Sequence, residues 1–157
     1  MDWFVKAFLK SSLAWLGFGV TLGIAMAVHP VWSIYRTAHM HANLLGFVSM
    51  MIFGVAYHVI PRFSGNPLRH RRLALAHWWI ANAGLATMVG GLVMVPHGRR
   101  GAWMLVAAGG LLSALGAYAF IYNLWRTIDG RRPLPAAQRS ASPVARRLPL
   151  HDGTRAS

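Results

Sequence analysis

The 157-residue chain contains no cysteine and no glutamate, and its only acidic side chains are Asp2, Asp129 and Asp152. The missing thiols exclude disulfides, thiolate metal ligands and thiol redox chemistry. The scarcity of acids is as restrictive. All three aspartates lie outside the long apolar runs, so a carboxylate proton relay within a membrane cannot be assembled from a single copy. Charge of either sign is absent from four long stretches. No Asp, Glu, Lys or Arg stands between Lys10 and Arg36, Arg36 and Arg62, Arg72 and Arg99, or Arg100 and Arg126, runs of 25, 25, 26 and 25 residues.

What fills those gaps is apolar, since 55% of the residues are hydrophobic. Each run exceeds the ~20 residues a helix needs to cross the hydrocarbon of a bilayer. A spanning helix also satisfies its own backbone hydrogen bonds, which lipid cannot do for it. The reading is a single all-α unit, a polytopic membrane protein with a four-helix transmembrane bundle over residues 1–130. Its helices are expected at about 11–29, 38–61, 74–96 and 102–125. Lys6 and Lys10 before the first run, with Ala25-Met26-Ala27 at its end, also suggest a cleavable leader. The run is longer than the ~7 to 15 residues of a signal core, so it is read as a retained span. After Gly130 the composition changes to Arg131-Arg132-Pro133-Leu134-Pro135 and a mixture of Ser, Ala, Pro and Arg, read as a disordered basic tail over 131–157.

The basic residues give an orientation. With the N-terminus in the cytoplasm, thirteen of the sixteen Lys and Arg fall on that side and only Arg36, Arg99 and Arg100 on the other. Both termini are then cytoplasmic. The formal net charge of +13 is first an orientation and lipid-surface signal, with membrane lipid as the expected partner. The basic residues flank spans instead of patterning a recognition surface, so no nucleic acid is expected. Small residues four apart, Gly19 and Gly23 in the first run and Gly109, Ser113 and Ala117 in the last, mark close helix contacts.

Polar groups within a membrane are costly and are kept mainly for a task. Here these are histidines: His29, His39, His41 and His97 toward the outer side, with His58 and His77 toward the other. His39-Met40-His41 carries most chemical content. Two residues apart on a helix is a turn of ~200°, so the imidazoles point to nearly opposite sides and can serve two separate centres more readily than one. The alternative is a pair of wetted interfacial histidines.

The stretch from Arg36 to Arg62, RTAHMHANLLGFVSMMIFGVAYHVIPR, resembles the tenth helix of subunit I of the heme-copper oxidase superfamily, most closely the C-type cytochrome oxidases and nitric oxide reductases. It shares their His-x-His pair, Gly-aromatic step and closing Tyr-x-x-x-Pro-Arg pattern. Arg99-Arg100 resembles the family's tandem arginines between its eleventh and twelfth helices. The resemblance implies one four-helix arc of the family's twelve-helix subunit, corresponding to helices nine to twelve, in the inner (cytoplasmic) membrane of a bacterium. It further implies heme b, with His39 and His41 as iron ligands and Arg36, Arg99 and Arg100 holding propionates. Leu44, Phe47, Met50 and Met51 are expected to wall the ring.

The resemblance is incomplete at copper, which the family holds with three histidines, two of them adjacent. No His-His pair occurs here. His77 is a lone copper candidate, with a packed or interfacial histidine as the alternative. An arc on its own suggests assembly as a homotrimer, with each protomer's second helix facing a neighbour. The expected function is b-type heme binding for electron transfer from a respiratory donor or for binding O2 or NO. The alternative is a non-catalytic accessory or assembly subunit handling heme or copper, with which eight methionines are compatible. Any enzyme activity would be an oxidoreductase of the cytochrome oxidase or nitric oxide reductase type.

Overall fold

Long runs without charge leave the backbone no partner but itself, and each of the four folds as a helix. The computed structural model describes residues 1–130; the tail expected over 131–157 lies outside them. Four helices are long and apolar enough to cross a membrane: α1 (Trp3–Val28), α2 (Pro30–Phe63), α3 (Arg71–His97) and α4 (Ala102–Ile128). Among the described residues there is no strand.

The helices run beyond the charge-free stretches. α1 starts at Trp3 instead of near residue 11, because Phe4, Val5 and Phe8 are buried in the bundle while Lys6 and Lys10 ride on its exposed side. α2 starts at Pro30, whose missing N–H costs nothing in a first turn. Gly98 and Gly101 take left-handed backbone angles, φ 64° and 80°, and so close the tight turn into α4.

α2 is composite. A 3-10 stretch (Pro30–Tyr35) leads into α-helical turns (Arg36–His41), then a π-helical segment (Ala42–Ser49), then α-helix again (Met50–Phe63). Ser49 Oγ donates to the Leu44 carbonyl five residues back, at 2.9 Å, following the wider π turn.

Glycine sets the helix contacts. At Gly46, a Cβ would stand 2.6 Å from Trp15 Cβ on α1, and at Gly54 it would stand 3.1 Å from Phe8 Cβ. On the other side of the bundle, a Cβ at Gly84 would meet the Ser113 backbone nitrogen at 2.8 Å, and Gly109 packs directly on the backbone of Gly84 and Met88. The molecule is thus built from two close pairs, α1 with α2 and α3 with α4. Trp78 Nε1–H donates to Ser11 Oγ at 3.0 Å and Trp15 Nε1–H to Asn82 Oδ1 at 3.4 Å, joining α1 to α3.

The α1–α2 and α3–α4 connections share one end of the bundle, the His39 end. Tyr35 OH and His97 Nε2 hydrogen-bond there at 2.8 Å. The chain start and the α2–α3 connection share the opposite, Asp2 end. At that end Asn123, fully buried on α4, accepts from the His70 N–H at 3.0 Å and donates to the His70 carbonyl at 2.9 Å. Thr127 Oγ1 accepts from the Arg69 N–H at 3.0 Å. These bonds pin the 64–70 connection onto α4.

Candidate functional site

His39 and His41 lie in the α-helical turns of α2 just before the π segment, and both are half-buried. His39 points across to α1. Its Nδ1 is 2.9 Å from the Gly19 carbonyl, and a Cβ at Gly23 would come within 3.0 Å of its Cε1. Only glycines at 19 and 23 leave space for the imidazole and the Asn43 amide between the helices. His41 Nδ1 is 2.9 Å from the Thr37 carbonyl of its own helix. A carbonyl oxygen can only accept, so each Nδ1 carries the proton and donates. Each Nε2 then keeps its lone pair. Asn43 Nδ2 donates to the His39 carbonyl at 2.9 Å, and its amide lies beside the imidazole, 3.3 Å from Nδ1 and 3.5 Å from Nε2.

His39 lines a hollow of about 540 Å³ with Met26, Ala27, Ser33, Arg36 and Met40, between the end of α1 and the start of α2. Arg36 is therefore on the same hollow as His39. Arg99 lines a separate hollow of about 580 Å³ with Val93, Met94 and His97. Arg99 and Arg100 are exposed in the turn before α4. The Tyr35–His97 bond brings that turn and the start of α2 to the same end of the bundle, but the two hollows share no lining residue.

Of the residues expected to wall a ring, Leu44 is 56% exposed, Phe47 and Met51 are half-buried, and Met50 is 1% exposed in the core.

His77 is elsewhere, fully buried where all four helices meet. Phe8 of α1 and Phe53 of α2 stand 4.9 and 4.7 Å from it between ring centroids, and Phe120 of α4 stands 5.7 Å away. Tyr57 OH hydrogen-bonds its Nδ1 at 3.1 Å, and its Nε2 has no partner among the described residues. No group of three His, Cys, Asp or Glu side chains able to hold a metal occurs among the described residues. The donors around His77 therefore do not fit a three-histidine copper site.

Sequence reading passed over three of these features: the Tyr57–His77 pair, the Tyr35–His97 bond and the Asn43 amide beside His39. Asn43 had a signal, since it stands one helical turn after His39. The other two join residues 20 and 62 apart and had none.

The family described as "Cytochrome C and Quinol oxidase polypeptide I" matches residues 4–142. Among curated proteins, the chain is similar to the Cbb3-type cytochrome c oxidase subunit CcoN1 of Stutzerimonas stutzeri, 24% identical over 159 residues that cover 82% of this chain and 34% of that protein. It is similar as well to the bacteroid cytochrome c oxidase subunit 1 homolog of Bradyrhizobium diazoefficiens, 25% identical with 79% of this chain and 28% of the relative covered. Cytochrome c oxidase subunit 1 of Rhodobacter capsulatus is 25% identical, with coverages of 74% and 28%. The chain spans about a third of the length of these relatives. With the match running from the first turn of α1 past the end of α4, this four-helix membrane chain belongs to the cytochrome c and quinol oxidase polypeptide I family.

Proposed function

We propose that the chain is a b-type heme-binding membrane protein, with imidazole ligands from His39 and His41, working in electron transfer or in binding O2 or NO. One observation carries this reading. Both histidines donate Nδ1–H to a backbone carbonyl at 2.9 Å and so hold Nε2 as a lone pair, the preparation that metal-ligating histidines share. His39 is the firmer of the two, because its carbonyl belongs to another helix and fixes the ring relative to α1. His41 is anchored within its own helix.

The residues fit the group. Neutral imidazoles suit heme iron, and Arg36 on the His39 hollow supplies a charge-assisted donor for a propionate. Arg99 and Arg100, at the same end, are the further propionate partners. A bound heme supplies a reversible iron redox couple or a gas-binding position. The chain supplies ligand orientation through Gly19 and Thr37 and an apolar surround. Copper is no part of this proposal, given the donors around His77.

The same reading places the chain in the inner membrane of a bacterium with both termini cytoplasmic, supported by the thirteen-to-three division of Lys and Arg. It also favours a homotrimer receiving electrons from a respiratory donor. Closed cyclic symmetry is the usual arrangement for copies of one such subunit. Native mass measurement in mild detergent showing only monomers removes the trimer.

The test is the visible spectrum of detergent-purified protein from heme-replete cells, air-oxidised and then dithionite-reduced. A sharp reduced α-band in the wild type, lost or displaced in His39→Ala and in His41→Ala, is expected. A colourless wild type overturns the heme reading and leaves the accessory-subunit alternative.

A further inference from the structure

The Asp2 end of the bundle carries a further hollow, which shares no lining residue with those at the histidine end. It measures about 850 Å³, and its lining includes four guanidinium groups, Arg62, Arg69, Arg71 and Arg72, against one carboxylate, Asp2. Among the described residues Arg71 is the only one of the four in an ion pair, with Asp2 at 2.5 Å, and the pair is open to solvent, at 70% and 41% side-chain exposure. Arg62 Nη1 donates to His58 Nδ1 and to the His58 carbonyl, neither of them a carboxylate. The connection that forms the wall is held in place by the Asn123 and Thr127 bonds to α4. It is a fixed, strongly cationic recess at the end of the membrane spans.

Beside it runs an apolar groove of about 250 Å³, lined by Trp3, Phe4 and Leu75 and sharing Arg71 and Arg72 with the larger recess. Leu75 stands one helical turn along α3 from Arg71 and Arg72, so the groove leads from the guanidinium groups toward the hydrocarbon. Trp3 packs edge-on against Trp78, ring centroids 5.4 Å apart, and gives the groove an indole wall of the kind found at membrane interfaces.

We propose that these joined cavities form a binding site for an anionic phospholipid, its phosphate held by Arg71, Arg72 and Arg69 and one acyl chain laid against Trp3 and Leu75. Charge selects the anion, because basic pockets between spans on the cytoplasmic face bind acidic headgroups. The groove selects an amphiphile over a free phosphate, which has nothing to place on Trp3 and Leu75. Asp2 competes for Arg71 and sets an upper limit on affinity.

The test uses the purified full chain in detergent, titrated with phosphatidylglycerol or phosphatidylcholine of the same acyl chains and read by native mass spectrometry. Phosphatidylglycerol is retained at concentrations where phosphatidylcholine is not. Arg71→Gln with Arg72→Gln weakens its retention about tenfold or more, the loss expected of two basic groups at an anionic surface. Lys10→Gln with Arg126→Gln, which removes the same charge outside the recess, leaves it unchanged. Inorganic phosphate and glycerophosphoglycerol fail to displace the lipid. Asp2→Asn binds more tightly. Equal retention of the two lipids, or equal loss in the two double variants, overturns the proposal. Displacement by the water-soluble headgroup as readily as by the lipid also overturns it, and leaves a free-anion pocket. All four substituted basic side chains are exposed, so folding is not at stake.

Discussion

Replacing Gly19 with alanine puts a methyl group where Asn43 already stands. The added carbon would lie 2.5, 2.6 and 2.7 Å from Nδ2, Oδ1 and Cγ of the Asn43 amide, whereas ordinary contact begins at 3.4 Å. Something must give by about 0.8 Å, and relief of this kind in a packed core costs about 1–3 kcal/mol. If the amide swings away, it gives up its 2.9 Å bond to the His39 carbonyl, worth about 0.5–1.5 kcal/mol. If α1 and α2 move apart instead, the 2.9 Å bond from His39 Nδ1 to the Gly19 carbonyl stretches to about 3.7 Å and ceases to be a hydrogen bond.

Gly17 is the internal control. It stands on the same helix two residues earlier, and nothing lies within 4 Å of a Cβ there. Thermal unfolding in detergent is expected to place Gly19→Ala below wild type and Gly17→Ala at or slightly above it. Where the heme reading holds, loss of the carbonyl anchor lowers heme affinity about 10- to 100-fold in Gly19→Ala alone. Two variants that melt together refute the packing argument. A Gly19→Ala protein that melts lower yet binds heme as wild type refutes the role given to the His39 anchor, and the two failures are separable.

Gly91→Ala brings a Cβ within 2.8 Å of the Val106 backbone nitrogen and destabilises by about 1–3 kcal/mol. Gly90→Ala meets nothing within 4 Å and leaves the melting point unchanged or raised. Tyr57→Phe strips the buried His77 of its remaining hydrogen bond and costs about 1–3 kcal/mol in unfolding. His77→Phe added to Tyr57→Phe recovers part of that loss if the pair is a packing device, and a double variant worse than Tyr57→Phe alone counts against it. Asn123→Ala removes the acceptor of the His70 N–H and one of two donors to its carbonyl, which keeps the Ala74 N–H at 3.2 Å, so amide exchange in the 64–70 connection accelerates at least tenfold while the His39 end keeps its protection.

The fold was legible because its cause is one-dimensional. Lipid requires about 20 uncharged residues and a self-satisfied backbone, and four charge-free runs meet that requirement without reference to each other. The helix ends were less legible. Lys6 and Lys10 bounded the first run by charge, yet α1 passes through both, since the opposite side carries Phe4, Val5 and Phe8 into the bundle. At the candidate site, the ~200° between His39 and His41 follows from α-helical geometry and needs no tertiary information. Which of Leu44, Phe47, Met50 and Met51 is exposed did need it, since Met50 goes to the core and Leu44 to the surface in a helix that is π-helical from Ala42 to Ser49.

Glycine makes the same division sharper. Gly90 and Gly91 are identical and adjacent, as Gly17 and Gly19 nearly are, and no local rule of composition or spacing separates them. In the bundle one of each pair touches backbone or side chain of the neighbouring helix and the other touches nothing. The reason is rotational: one residue is 100° of helix, enough to move a Cα from the seam between two helices to the lipid-facing side. A four-residue spacing of small groups therefore says that a helix can be approached closely, while the partner and the direction of approach come from the other helix. At Gly19 and Gly23 the partner is the His39–Asn43 turn. The small-residue signal in α1 and the histidine signal in α2 are two halves of one contact, and neither half names the other.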